Sequence, residues 1–335
     1  MVEPHLTVAV AGAGHLGTFH ARALQRVAPG CLRAVVDCLP ERAERLANAL
    51  GVRAAADVGA VLGEVDALIV ATPTATHYAV ARAALAAGCH VLVEKPITAT
   101  LEEGRELVAL AAAKRRVLQV GHIERFNPIF RALQGEIGVP AFVEAERLAP
   151  FVPRSLDVDV VLDLMVHDLD LLLSLVPAEA TAIEAVGVAV LSPGEDIAAA
   201  RLRFANGTVA HLTASRVSQE KSRKIRFFSR RGYHSLDLLA RSARKVRIAP
   251  DPEGALEVPG TGRFAVAEER LERPEPDPLG EELRSFLAAA AAGGPPVVDG
   301  EAALRVLALA GEIRRRAQAG LREFRETPPW PTPAS

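Results

Sequence analysis

An unbroken apolar run, Leu6-Thr-Val-Ala-Val-Ala11, passes directly into Gly12-Ala-Gly14-His-Leu-Gly17 and on into a helix-compatible segment, His15 to Val27. A short continuous apolar run suits a strand covered on both faces of a parallel sheet. Set between strand and helix, the three glycines have separate mechanical tasks. Gly12 permits the tight turn, Gly14 lets the main chain approach a pyrophosphate, and Gly17 allows the helix to pack closely on the strand. The free N–H groups at the helix start then favour an anionic group.

The next strand, Leu32-Arg-Ala-Val-Val-Asp37, ends on an acid twenty residues beyond Gly17. At that spacing a carboxylate accepts hydrogen bonds from ribose hydroxyls and repels a 2′-phosphate. No arginine directly follows Asp37, so the expectation is NAD over NADP. The alternation continues through helix Glu41 to Leu50, strand Ala67 to Ala71, helix Ala75 to Ala87, strand His90 to Glu94, helix Leu101 to Lys114 and strand Val117 to Val120. Such alternation with right-handed crossovers predicts a doubly wound parallel sheet of Rossmann type over residues 1–121. Ligands in such sheets lie outside the carboxyl ends of the strands. Gly12–Gly17, Asp37, Thr72-Pro73 and Glu94-Lys95 therefore share one rim. An ammonium at a strand end, Lys95, is poorly placed for core packing and well placed in a cleft.

At 335 residues the chain has room for two domains, and its balance of 50% hydrophobic and 24% charged residues is ordinary for a globular protein. A formal net charge of −2 gives no general attraction to nucleic acid or to an anionic membrane. No apolar run approaches the roughly 20 residues a membrane span needs, and the amino terminus has no signal-peptide pattern. Cys31, Cys38 and Cys89 lack paired metal-ligand spacing and read as small hydrophobes in a reducing compartment. Cytoplasm is the expected location, with no membrane and no nucleic-acid partner. Residues 327–335 form a proline-rich tail with no packing periodicity.

Beyond His122 the pattern changes. Phe142–Arg147, Thr181–Val190, Ala198–Phe204, Val209–Val217, Lys224–Phe228, Tyr233–Leu238 and Lys245–Ile248 read as consecutive strands, with a tight hairpin at Asn206-Gly207. The expectation for 122–326 is an α+β domain with a mostly antiparallel open sheet, whose free face joins a homodimer or homotetramer. Six basic residues between Lys221 and Arg231 read as the solvated side of that sheet. One helix, about Val158 to Val176, interrupts the strands. Within it Asp163 and His167 stand four apart on one face, with Asp170 close by. A carboxylate there can orient the imidazole and raise its pKa. A metal site built from Asp163, His167, Asp168 and Asp170 is the rival reading; the reading adopted has no metal. Arg125, Asn127 and Arg154 flank these segments as candidate ligands for an anionic substrate. Helices are expected at Leu279 to Ala292 and Glu301 to Ala319, the latter capped by Asp299.

Ala11-Gly-Ala-Gly-His-Leu-Gly17, Ala71-Thr-Pro-Thr-Ala-Thr-His77, Val93-Glu-Lys-Pro96 and Asp163-Leu-Met-Val-His167 occur in an order that resembles the glucose–fructose oxidoreductase / inositol dehydrogenase (Gfo/Idh/MocA) family over nearly the whole chain. Gly121-His-Ile-Glu-Arg-Phe-Asn-Pro128 and Asp157–His167 are similar to a subgroup of nucleotide-sugar dehydrogenases, UDP-N-acetylglucosamine 3-dehydrogenases among them. The family usually has a glycine-rich lead-in to the catalytic helix; Asp157-Val-Asp-Val-Val161 stands there instead. The resemblance implies that Lys95 and His167 are catalytic, with Asp163 supporting them. It also implies that Gly12, Gly14, His15, Leu16, Gly17, Asp37, Thr72, Pro73, His77, Glu94 and Lys95 line NAD. The expected reaction is hydride transfer from a secondary alcohol of a sugar or nucleotide sugar. The rivals are a non-catalytic NAD-binding sensor on the same fold and a reductase of an unsaturated or imine substrate.

Overall fold

The computed structural model describes residues 6–152, 159–192, 194–230, 232–251, 254, 256–260 and 262–326, without the side chains of 320–326. The chain falls into two compact units. The first runs up to Phe126 and takes in Pro276–Leu307; the second comprises Asn127–Glu275 and the chain from Ala308 onward.

The first unit alternates as its apolar runs dictate: β1 (Val8–Ala11), α1 (His15–Val27), β2 (Leu32–Val36), α2 (Pro40–Leu50), β3 (Arg53–Ala55), β4 (Ala67–Val70), α3 (Thr74–Ala87), β5 (His90–Glu94), α4 (Leu101–Lys114) and β6 (Leu118–Gly121). Their order in the sheet, β3-β2-β1-β4-β5-β6, is parallel throughout and reverses direction beside β1. The crevice of a doubly wound sheet opens at that reversal. β3 has three residues and no run of branched apolar side chains, which is why the sequence pattern did not announce it. α4 starts at a capping box in which Thr100 and Glu103 satisfy each other's main-chain N–H.

The same unit includes α7, from the far end of the sequence (Pro278–Ala292 in chain order). Leu283, Phe286 and Ala289 on α7 join Val10, Leu24, Ile69 and Leu92 in one core cluster. These positions recur every three to four residues, the stripe a helix buries.

In the second unit, α5 (Pro128–Ile137) is followed by β7 (Phe142–Leu148), α6 (Val166–Leu175), β8 (Ala180–Val188), β9 (Ile197–Phe204), β10 (Val209–Ser215), β11 (Ser222–Ser229), β12 (Gly232–Asp237), β13 (Ser242–Pro250), β14 (Leu256–Val258) and β15 (Gly262–Glu272). The last described helix, α8 (Gly300–Glu326), is divided between the units, its residues up to Leu307 belonging to the first and those from Ala308 to the second. The strands make one nine-stranded sheet, β14-β15-β13-β12-β11-β7-β10-β9-β8, antiparallel except where β7 meets β10. Gly207 turns β9 into β10 at φ +88°, as Asn-Gly predicts. β15 escaped the sequence pattern because its eleven residues are mostly exposed and charge-rich. The basic stretch on β11 is the solvated side of the sheet: Arg226 stands opposite Glu144 and bonds it at 2.7 Å.

Candidate functional site

At the rim of the parallel sheet the glycine loop behaves as three different residues. Gly12 sits at φ +99°, and a Cβ there would lie 2.4 Å from the carbonyl oxygen of Ala71. A Cβ on Gly17 would lie 1.7 Å from the oxygen of Gly12. Both are glycine because the fold needs them so. Gly14 differs: it is the N-cap of α1, no side chain caps that helix start, and a Cβ would meet no protein atom within 4 Å. The space in front of Gly14 and the uncapped N–H groups behind it fit a pyrophosphate. His15 and Leu16 are exposed beside this loop, and His15 lies edge-on to Phe19 with ring centroids 4.7 Å apart.

Asp37 follows β2 at the same rim. Its Oδ2 accepts the Ala13 N–H at 2.8 Å and its Oδ1 the Leu39 N–H at 2.9 Å. These bonds fix the carboxylate against the glycine loop, and each oxygen keeps a lone pair for a ribose hydroxyl. The residues present therefore fit an adenine dinucleotide.

Thr72 and Pro73 lead from β4 into α3, where Thr76 Oγ1 lies 2.8 Å from both Thr72 Oγ1 and the Pro73 carbonyl. His77 is buried, with Nδ1 2.8 Å from the Pro96 oxygen and Nε2 2.9 Å from the Thr72 oxygen. Its imidazole thus clips the Thr-Pro loop to the Glu-Lys-Pro loop and faces main chain on both sides. The Lys95–Pro96 bond is cis. Glu94 turns inward, 2.6 Å from Nε2 of the buried His20, while its Oε2 accepts the Lys95 main-chain N–H at 3.2 Å. Burial alone would push the Glu94 carboxyl up; the hydrogen bond and charge of His20 and the charge of Lys95 outweigh it and hold the group below its ordinary range.

In the second unit Asp163 lies in a π turn, Val161–Met165, and His167 on the first turn of α6. Where the spacing predicted one uninterrupted helix, the wider π turn re-aims the residues ahead of His167; such single turns recur at functional sites. Asp159 begins this turn, its Oδ1 accepting N–H groups from Val161 and Leu162 at 3.0 and 3.1 Å. Asp163 and His167 are half-buried, Asp168 and Asp170 fully so. Asp168 is held by Arg147, Nε to Oδ2 at 2.9 Å and Nη2 to Oδ1 at 2.8 Å, which removes it from the rival metal reading. Among the described residues no group of three His, Cys, Asp or Glu side chains could hold a metal ion.

The three substrate candidates fare differently. Arg125 donates to the Val297 oxygen at 3.3 Å. Asn127 is buried and caps α5, accepting from the Ile129 N–H at 3.2 Å and donating to the Leu238 oxygen at 2.9 Å. Its amide is engaged in the fold, because a residue just ahead of Pro128 is where a helix start needs an acceptor. Arg154 lies outside the described residues. The sequence reading overlooked Arg147 and His20. The signal for His20 was available: it falls in the buried stripe of α1 beside Gly17, Ala21 and Leu24.

A parallel sheet with a glycine-loop phosphate cradle and an acid at the end of its second strand defines an NAD-binding oxidoreductase. Residues 6–122 match the model of the oxidoreductase family with an NAD-binding Rossmann fold, and residues 132–234 match the Gfo/Idh/MocA C-terminal domain. The chain belongs to the Gfo/Idh/MocA family and is an NAD-dependent dehydrogenase acting on CH–OH groups. It is 44% identical over 318 residues to a UDP-N-acetylglucosamine 3-dehydrogenase of Acidithiobacillus ferrooxidans, covering 95% of this chain and 99% of that one. The crystal structure of that enzyme superposes with a TM-score of 0.87 over the same shares. A scyllo-inositol 2-dehydrogenase (NAD(+)) of Bacillus subtilis is 33% identical over 65% of this chain and 69% of its own. Apo scyllo-inositol dehydrogenase of Lactobacillus casei, at 19% identity, shares the fold with a TM-score of 0.77 over 95% of this chain and 98% of its own.

Proposed function

We propose that the protein oxidises a secondary alcohol on the sugar ring of a nucleotide sugar, UDP-N-acetylglucosamine at C3 being the first candidate. The observation that carries this reading is the 44% identity, over 95% of the chain, to an enzyme of that name, with Lys95, Asp163 and His167 all present. NAD⁺, when bound, supplies the hydride acceptor. His167 takes the proton of the reacting hydroxyl as general base. Lys95 hydrogen-bonds the same oxygen and stabilises its developing negative charge. Asp163 orients the imidazole. The glycine loop and Asp37 hold the dinucleotide, while Thr72, Pro73 and, through its clip, His77 shape its pocket. In this reading residues 1–121 bind NAD and 122–326 bind substrate and mediate self-association.

Self-association as a homodimer or homotetramer uses the open face of the nine-stranded sheet. Phe142, Phe228, Tyr233 and His211 form a chain of ring contacts there, with centroids 4.9 to 5.7 Å apart. On the same face Val186 is 59% exposed. Among the described residues no helix is long and apolar enough to cross a membrane. Cys31 and Cys89 are buried, the place of small apolar side chains, which supports reading the location as reducing and cytoplasmic.

NADH formation on adding a panel of free and UDP-linked sugars tests the reading. Turnover is expected with a UDP-linked sugar, and His167→Asn should cut kcat by about 10²–10⁴-fold with NAD affinity retained. Binding of NAD with no turnover on any sugar would replace it with the sensor reading.

A further inference from the structure

Four polar side chains interrupt the apolar core near the end of β5, on the sheet face covered by α1 and α7. They are His20 of α1, Glu94 of β5, Gln119 of β6 and Glu282 of α7. Gln119 and Glu282 are 0% exposed and His20 1%. Gln119 is in register with Leu92, two residues before Glu94, and donates from Nε2 to the Glu282 main-chain oxygen at 3.3 Å. Glu282 occupies the apolar stripe of its helix, one turn before Phe286. That placement makes no sense for a charge.

The hydrogen bonding of this packet is lopsided. His20 Nε2 binds Glu94 Oε1, yet His20 Nδ1, Gln119 Oε1 and both carboxyl oxygens of Glu282 have no protein partner among the described residues. Buried polar atoms in native proteins are satisfied in some nine cases out of ten, and an internal water typically makes about three hydrogen bonds. Four such atoms on the side chains of this one buried face leave hydrogen bonds for internal water to make.

The two carboxyls are also driven apart in character. Burial and the neighbouring Glu94 charge both push Glu282 well above its ordinary value. Glu94, facing His20 and Lys95, is held low. The 3₁₀ turn Ile123–Phe126 also packs against α7; it carries Glu124 and Arg125, and Arg125 donates to the Val297 oxygen. Carboxyls whose environments push them in opposite directions divide into a donor and an acceptor.

We propose that internal water links the carboxyl of Glu282, as donor, to the Glu94 carboxylate, making Glu282 a positioning residue for the strand end that carries Lys95. The acid pair keeps Glu94 as an oriented anion, whose Oε2 receives the Lys95 main-chain N–H. Its consequence for turnover rests on the role of Lys95 proposed above; its existence does not.

Glu282→Gln preserves shape and donor but cannot ionise. An acid whose folded pKa is raised above the unfolded value stabilises relative to its neutral unfolded form only below that unfolded value, 4.5, and the stability is lost as pH climbs toward the folded value. The melting-temperature difference between Glu282→Gln and the native protein should therefore widen steadily from about pH 5 to about pH 8. A flat or narrowing difference overturns the proposal. The native protein at neutral pH should also show the infrared C=O band of a protonated carboxyl, absent in Glu282→Gln; its absence from the native spectrum overturns it too. Glu282→Leu should lower kcat about tenfold or more with NADH affinity unchanged, and Glu282→Gln should restore most of the loss. Inactive Lys95 variants with a flat melting difference would sink the acid pair alone. Fully active Lys95 variants with a widening difference would sink the catalytic reading alone.

Discussion

Arg147 of β7 grips Asp168 of α6 at two points, each side chain 3% exposed. The pair fastens the helix that carries His167 to the middle of the nine-stranded sheet. Removing one partner leaves the other as an uncompensated buried charge. Asp168→Ala should cost about 3–5 kcal/mol of stability in urea unfolding, whereas replacing both residues by apolar ones of similar volume should recover most of it. A loss below about 1 kcal/mol for the single variant would mean that the pair behaves as a solvated one.

The glycine loop separates packing from binding at residues three apart. Gly17→Ala should fail to fold natively, since its Cβ would fall 1.7 Å from the Gly12 oxygen. Gly14→Ala meets nothing within 4 Å, and its φ of −74° suits alanine. Its melting temperature should be nearly native, with NAD affinity down about tenfold or more, a loss of about 1.4 kcal/mol, read by NADH fluorescence titration. Native affinity in Gly14→Ala would place the pyrophosphate elsewhere.

The proposed role of Asp37 in nucleotide preference is tested by removing its carboxylate. Asp37→Ala removes both the ribose acceptor and the repulsion of a 2′-phosphate. The ratio of kcat/KM with NAD⁺ to that with NADP⁺ should fall by about 10–100-fold, the worth of a hydrogen bond to a charged group at about 1.5–3 kcal/mol. An unchanged ratio would show that preference is set by another residue.

Acid sensitivity of the second unit should centre on Asp196. Burial favours its neutral form, but the Ser192 hydroxyl and the N–H groups of Ser192, Leu191 and Val190 outweigh this and hold the carboxyl well below the ordinary 3.8. Arg216 adds a bond at 2.9 Å. A depressed folded pKa means stability that is present above 3.8 and lost as pH falls toward the folded value. The urea midpoint of the native protein should drop steeply below about pH 4, and Asp196→Asn, less stable at neutral pH, should show a shallower drop. Parallel curves would assign the acid sensitivity to other carboxyls.

Local chemistry was enough to read β1, the glycine loop, Asp37 and the alternating elements from the order of residues. A strand buried on both faces must be apolar throughout, and a tight turn into a helix needs glycine wherever Cβ would collide. The Asn206-Gly207 hairpin and the Asp299 cap, which accepts the Ala302 N–H at 2.8 Å, were legible for the same reason. β15 and β3 were not, because their strand character comes from neighbours that supply hydrogen bonds and not from side chains that seek burial.

The order of residues therefore settled the dinucleotide-binding sheet and its polarity, which depend on neighbours a few positions apart, while the class of chemistry came from the resemblance of widely separated motifs to a family. Tertiary structure alone decided that α7 returns to complete the first core and that Glu282 stands in the same buried packet as Glu94. It likewise decided that His77 clips two loops, that Asn127 caps a helix, and that Asp168 answers Arg147. Each of these is a pairing between distant positions, and a polar side chain gives no sign of its partner until packing has closed around it.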